Sequence, residues 1–263
     1  MHGCARYRFP DIVRFIVTIN TECLSNVRFV LVRPSHPGNI GATARAMKAM
    51  GLVDLRLVSP SKFPSAEASV RAAGADDVLA NAHIEETLDA SIAGCTLVFG
   101  TSTRQRSLRW PEMTPQACAS RAVNESKDAR IAFVFGPERY GLSNDDLDRC
   151  HYSVQVPTNP DFPSLNLAAT VQILAYELRI ATLTDSDSHT TVSEYELAPV
   201  HEVELLYDHL WQVMEQAGYL NPKQPGMLKR RLRRLFNRTH LERAEVQILR
   251  GFLSAIKTSR KRS

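Results

Sequence analysis

Four segments combine small, hydroxyl, amide and charged residues at spacings suited to ligand binding or catalysis. The first is RPSHPGNIGATARAM, Arg33–Met47, where an apolar run ends in a Pro/Gly turn and a helix-like stretch follows. Asn39 stands where it can cap that helix, and Gly41, Ala42, Arg45 and Ala49 recur at helical spacing. Small neighbours would let another backbone or a ligand approach the Arg45 guanidinium, although a capped helix with one surface arginine has the same pattern. The second is FVFGPERYGL, Phe133–Leu142, in which two glycines, a proline and Glu138 follow an apolar strand. The third is VPTNPDFPSLNLAAT, Val156–Thr170, a proline-rich loop whose Ser164 is placed to cap the long apolar run beyond it. GTSTR, Gly100–Arg104, ends another strand with three hydroxyls. Taken singly, each is also what a tight turn or a helix cap looks like.

These segments need a scaffold that carries them to one place. Apolar or β-branched runs at Val27–Val32, Leu55–Val58, Thr96–Gly100, Ile131–Gly136 and Tyr152–Val156 alternate with helix-like stretches at Asn39–Met50, Ala66–Ala73, Glu85–Ile92, Pro115–Val123 and Ser143–Cys150. That alternation predicts an α/β domain with a parallel sheet covered on both faces. Such sheets bind ligands beyond the carboxyl ends of their strands, where the four segments would lie. Leu165–Leu183 is a long apolar helix that closes the domain. The expected organisation is a loose leader over 1–25, a catalytic domain over 26–183, a linker over 184–200 and a basic helical module over 201–263.

In the module, Leu206, Leu210, Val213, Met214 and Ala217 mark one amphipathic helix, and Leu228, Leu232, Leu235 and Phe236 mark a second whose other faces carry Lys and Arg. Thr239 and Glu242 stand at capping-box spacing before a third, with Ile248, Leu249, Phe252, Leu253 and Ile256 expected inward. Charge is distributed unevenly over the 263 residues. From Lys223 onward thirteen Lys/Arg face two Glu, a net +11, whereas the preceding residues sum to −7. A basic end on an acidic body suggests a polyanion partner. Lys229, Arg230, Arg233 and Arg234 are the candidate phosphate contacts, and a solvated helix face is the plainer alternative.

Other classes find no support. The chain has no G-x-G-x-x-G, P-loop, G-x-S-x-G or H-E-x-x-H, and its eight histidines do not cluster, so no metal site is expected. No apolar run approaches the roughly 20 residues of a spanning helix. The five cysteines are scattered without a C-x-x-C pair, which fits a reduced cytoplasmic protein.

The ordered set N-I-G-A-T-A-R, T-S-T-R, F-G-P-E-R-Y-G-L and S-L-N-L-A resembles the SpoU/TrmH branch of the SPOUT RNA methyltransferases, over roughly Val27 to Leu183. The basic tail is similar to that of bacterial members that methylate nucleotide 32 of the tRNA anticodon loop. The resemblance implies a C-terminal trefoil knot, a homodimer, tRNA as substrate and S-adenosyl-L-methionine as methyl donor without a metal. It further implies donor contacts from Thr101, Ser102, Thr103, Gly136, Val156, Ser164 and Leu165, with Glu138, Gly141 and Asn166 shaping the pocket. Arg45 matches the family's catalytic arginine and Asn39 its companion, with Ser164 also assigned to catalysis. Pro163 and Pro137 stand where relatives carry polar residues. A methyltransferase for ribosomal RNA or another tRNA position, and a non-catalytic RNA-binding protein, are the competing readings.

Overall fold

The computed structural model describes residues 22–102, 110–127, 129–184 and 196–259. The expected donor contact Thr103 and most of the leader and linker lie outside these residues. Seven parallel strands form one sheet: β1 Val27–Val32, β2 Asp54–Val58, β3 His83–Glu85, β4 Cys95–Thr101, β5 Glu112–Met113, β6 Arg130–Phe135 and β7 Tyr152–Val154, in the order β3-β2-β1-β6-β4-β7-β5. The central strands are buried on both faces, which is why they read as continuous apolar runs rather than alternating ones. The chain moves from β1 outward to β3, then returns across β1 to the other half of the sheet, so the strand order reverses near β1 and β6.

The helices are α1 Glu22–Ser25, α2 Pro37–Met50, α3 Ala66–Ala72, α4 Asp76–Ala80, α5 Leu88–Ile92, α6 Pro115–Glu125, α7 Asn144–Leu147, α8 Leu167–Thr184, α9 Val200–Gln216, α10 Leu228–Asn237 and α11 Arg243–Ser259. One face of the sheet presents Phe29, Leu31, Phe99, Phe133 and Phe135 to α2, α6 and α8. Its phenylalanines contact one another at centroid separations of 4.9–5.6 Å, within the range for favourable ring pairs. Val30, Val32, Val98, Ala132 and Val134 line the other face with residues of α5, α7 and the segment after it. Gly100 permits that second layer, since a Cβ there would lie 2.7 Å from Cys150 Sγ and 2.8 Å from Leu147 Cδ2.

Several sequence expectations change. The expected helix Glu85–Ile92 begins as strand β3 and turns helical only at Leu88, where Thr87 caps it through the Ala90 N–H. Strands β3 and β5 are too short for a recognisable pattern, and α4 escaped for the same reason. The expected helix Ser143–Cys150 is one turn, closed by a capping box between Ser143 and Asp146. In the module, Thr239 turns back to the Phe236 carbonyl, and Glu245 instead accepts from the backbone N–H of Glu242. Ile248 and Phe252 are 71% and 64% exposed rather than inward, whereas the expected Leu253 is buried, together with Val246, which was not expected there.

The module is docked on the domain rather than trailing from it. Val200, which opens α9, is buried with the second sheet face. Asn237 at the end of α10 is 7% exposed and donates through Nδ2 to the carbonyls of Asp148 and Cys150 at 3.2 Å each, while accepting from Tyr207 Oη at 2.6 Å. Arg230 Nε contacts both oxygens of Asp148 at 3.0 and 2.7 Å, with its guanidinium 5.7 Å from the Trp110 ring centre. Trp110 in turn donates to the Cys150 carbonyl at 2.9 Å. His240 stacks on His151 and lies 2.7 Å from Tyr152 Oη. Burial holds His151 near pKa 3 and His240 near 4, so both rings are neutral at pH 7.

Candidate active site

A cavity of about 280 Å³ opens at the carboxyl ends of β4, β6 and β7. Its volume is near the lower end of the roughly 300–1,000 Å³ typical of small-molecule sites. Thr101, Ser102, Gly136, Glu138, Gly141, Val156, Ser164 and Leu165 line it, together with residues the sequence reading missed, among them Phe135, Tyr140, Val154 and Leu167. Strand ends contribute apolar lining from Phe135 and Val154, and Thr101, Ser102 and Ser164 contribute hydroxyls. That mixture suits a ligand with a flat apolar part and polar ends.

The turn from Gly136 to Leu142 is folded tightly on itself. Gly141 N–H donates to the Pro137 carbonyl at 2.8 Å, and Gly141 takes φ +64°, which disfavours other residues. A Cβ on Gly136 would come within 2.1 Å of the Leu142 nitrogen. The glycines therefore permit a backbone wall at the cavity, as their position after β6 suggested.

Glu138 links this turn to the first segment. Its Oε2 accepts from Ser35 N at 3.0 Å and Ser35 Oγ at 2.8 Å, and its Oε1 accepts from His36 N at 3.2 Å and Asn39 Nδ2 at 3.0 Å. Partial burial tends to raise its pKa, but these bonds, led by that from Asn39, outweigh it and bring the value to about 2. A carboxylate from a distant loop thus stands before the positive end of α2, held by the two backbone N–H groups that precede the helix and by the Asn39 amide. The expected capping role of Asn39 is corrected accordingly: Asn39 lies inside α2, and its amide bridges Glu138 and Asn166, whose Nδ2 donates to Asn39 Oδ1 at 3.1 Å. Ser164 does not cap α8 either. Asn166 does, accepting the Ala168 N–H at 2.9 Å, which leaves Ser164 on the cavity wall. The three loops are joined by one polar chain, Glu138–Asn39–Asn166.

Other hydroxyls and charges serve the frame. Thr101 Oγ1 donates to the Val134 carbonyl at 3.2 Å, tying β4 to β6 beside the cavity. Arg33, at φ +48° after β1, pairs with Asp146 at 2.6 Å.

Arg45 stands on the exposed side of α2, six residues or about 9 Å of helix rise beyond Asn39. It makes no hydrogen bond or ion pair with the described residues and is not part of the cavity lining. Gly41, one turn before Arg45 on α2, is pressed on α3, where a Cβ would lie 2.0 Å from the Ala68 carbonyl oxygen. Its small size lets two helices come together. Among the described residues no group of three or more His, Cys, Asp or Glu could hold a metal, and no helix is long and apolar enough to cross a membrane.

Of the four candidate phosphate contacts, Arg230 holds Asp148 and Arg233 holds Glu204, with its guanidinium 4.5 Å from the Tyr207 ring centre. Lys229 lies 4.0 Å from Glu215 and Arg234 has no ion pair with the described residues. Asp148, Trp110 and Asn237 are the partners that sequence reasoning missed. The only signal was Asn237 recurring seven residues after Arg230 on one helical face.

Comparison with known proteins gives matches over both parts of the chain. Residues 26–176 match the SpoU rRNA Methylase family, and residues 201–263 match the C-terminal domain of the tRNA methyltransferase TrmJ. The chain is 48% identical over 240 residues to the tRNA (cytidine/uridine-2'-O-)-methyltransferase TrmJ of Cronobacter sakazakii, covering 90% of this chain and 98% of that protein. It is 49% identical over 236 residues to the protein of the same name from Yersinia pestis, covering 89% and 92%. Among solved structures, TrmJ from Z. mobilis superposes with a TM-score of 0.77 at 36% identity, covering 88% and 98% of the two chains. A probable methylase family protein from Haemophilus influenzae gives 0.60 at 38% identity, covering 90% and 98%.

Proposed function

The chain belongs to the SpoU rRNA methylase family, and from that premise we propose that it is a tRNA (cytidine/uridine-2'-O-)-methyltransferase that uses S-adenosyl-L-methionine and acts on nucleotide 32 of the anticodon loop. The observation that carries this reading is the cavity at the strand ends, because residues of the second, third and fourth sequence segments line it and Asn39 of the first is hydrogen-bonded to its wall.

When bound, S-adenosyl-L-methionine supplies an electrophilic methyl group on a sulfonium. The cavity fits such a molecule: Phe135, Val154, Val156, Leu165 and Leu167 offer apolar surface, and Thr101, Ser102, Ser164 and the turn at Gly136–Gly141 offer polar groups. Glu138 and Asn166 fix the loops around it, and we read those loops as a trefoil knot. The work left to the protein is orientation of a ribose 2'-hydroxyl and stabilisation of the charge that grows on its oxygen. Arg45 supplies that cation. A guanidinium offers donors and no acceptor, so it acts as an electrostatic stabiliser, and solvent or a substrate phosphate takes the proton.

We read the enzyme as a cytoplasmic homodimer. Tyr176 and Ile180 stand exposed on α8 as apolar surface for a second copy, and the described cysteines are thiols rather than disulfides, which suits a reducing compartment. Incubation with methyl-labelled donor and unmodified bulk tRNA, followed by nucleoside mapping, tests the reading. Label in 2'-O-methylated cytidine or uridine at position 32 is expected. Label absent from ribose, or confined to another position, refutes it at the corresponding level.

A further inference from the structure

Helix α10 and its C-terminal flank carry six cations, Lys229, Arg230, Arg231, Arg233, Arg234 and Arg238, and no acidic residue. The fold divides them. Arg230 is spent on both oxygens of Asp148, and Arg233 meets both oxygens of Glu204 through two of its nitrogens. Each guanidinium also lies against an aromatic ring, Trp110 for the first and Tyr207 for the second. Asn237 continues that inward face into the Asp148–Cys150 turn. To reach a phosphate, either arginine would have to leave the carboxylate it already pairs with.

The opposite side of the helix is different. Arg231, Leu235 and Arg238 recur at four- and three-residue intervals, so they form one stripe, and all three are exposed, Leu235 standing there rather than in the expected apolar stripe with Leu228, Leu232 and Phe236. Neither Arg231 nor Arg238 has an ion pair with the described residues. Their Cα atoms are separated by about 10 Å along the axis, two helical turns. The loop entering the helix adds exposed Lys223 and Tyr219, the latter 71% exposed. An unneutralised guanidinium pair on a surface helix complements a polyphosphate chain, and an aromatic ring exposed in the connecting loop is open to stacking by bases.

We propose that the outward stripe of α10, Arg231 and Arg238, is the face that meets RNA phosphates, and that Arg230 and Arg233 are docking clamps. This assignment rests on the tRNA methyltransferase reading and sharpens it, because it moves the contact from the inward arginines to the outward ones.

The test is equilibrium binding of the full chain to unmodified tRNA over a series of salt concentrations, with Arg231→Gln/Arg238→Gln and Arg230→Gln as variants. Each lost phosphate contact reduces the slope of log K against log salt by about 0.7–0.9, so the double variant should lose about 1.4–1.8. Its melting temperature and its affinity for S-adenosyl-L-methionine should match the wild type. Arg230→Gln should instead lower the melting temperature and leave the slope within a few tenths of wild type. An unchanged slope in the double variant, with the wild type still binding and methylating tRNA, overturns the stripe alone. A wild-type protein that neither binds nor methylates tRNA overturns the functional reading beneath it.

Discussion

Replacing Glu138 by glutamine keeps the shape of the side chain and removes the charge on which four hydrogen bonds converge. The folded pKa of about 2 lies below the ordinary 4.5, a gap worth about 3 kcal/mol if fully expressed. Water reaches this carboxylate, so screening reduces the contribution to about 1–2 kcal/mol. Because the folded value is the lower one, the stabilisation is complete above pH 4.5 and fades as pH falls toward 2. Urea unfolding of Glu138→Gln should therefore show a loss of about 1–2 kcal/mol at pH 7, equivalent to roughly 3–6 °C in melting temperature. At pH 3 the difference should have shrunk to less than half of its pH 7 value, because the unfolded carboxyl is by then protonated while the folded one is still largely ionised, and it should disappear below pH 2. Asp54 and Asp146 also carry depressed pKa values and contribute to acid lability, but they are common to both proteins and cancel in the difference. An undiminished difference at pH 3 would refute the electrostatic argument and leave only packing. The same variant should bind S-adenosyl-L-methionine more weakly, because the turn that walls the cavity loses its tie to α2.

Arg45→Ala should lower the methylation rate by about 100–1,000-fold while donor affinity, measured by titration calorimetry, stays near wild type. Arg45→Lys should fail as well, since a point-like ammonium does not reproduce the planar fork. Gly136→Ala should abolish detectable donor binding, because its Cβ would displace the Leu142 nitrogen and with it the cavity wall; binding within threefold of wild type would sink that inference. Arg230→Met should leave Asp148 unpaired at about 2–3 kcal/mol, discounted from the 3–5 of a fully buried pair, and faster hydrogen exchange in α10 would report it.

The sheet was legible because strands buried on both faces spell apolar runs, and Val27–Val32 appears in the structure with the ends its sequence suggests. Short edge elements such as β5 were not, since two residues carry no period. At the site, residue types pointed to the right loops, but the bonds between them depend on side chains about a hundred residues apart. Glu138 meeting the start of α2 does not follow from local spacing, so Asn39 was given that task. Asn166, by contrast, caps α8 through a local bond to the Ala168 N–H and was passed over for Ser164 two residues earlier. The division of α10 was hidden for a related reason. Amphipathicity finds the apolar stripe of a helix but does not separate cations that meet a partner carboxylate from those that meet water.

The turn from Asp148 to Cys150 accepts Asn237 and Arg230 from the C-terminal helices and Trp110 from the segment before β5, while Gly100 leaves room for Cys150 behind it. The basic tail is therefore not an interchangeable cartridge. Anyone grafting it onto another methyltransferase core would have to transplant its socket too, the acidic turn with the indole beside it. Without that socket the graft would hang from its tether and present its outer arginines in no fixed direction.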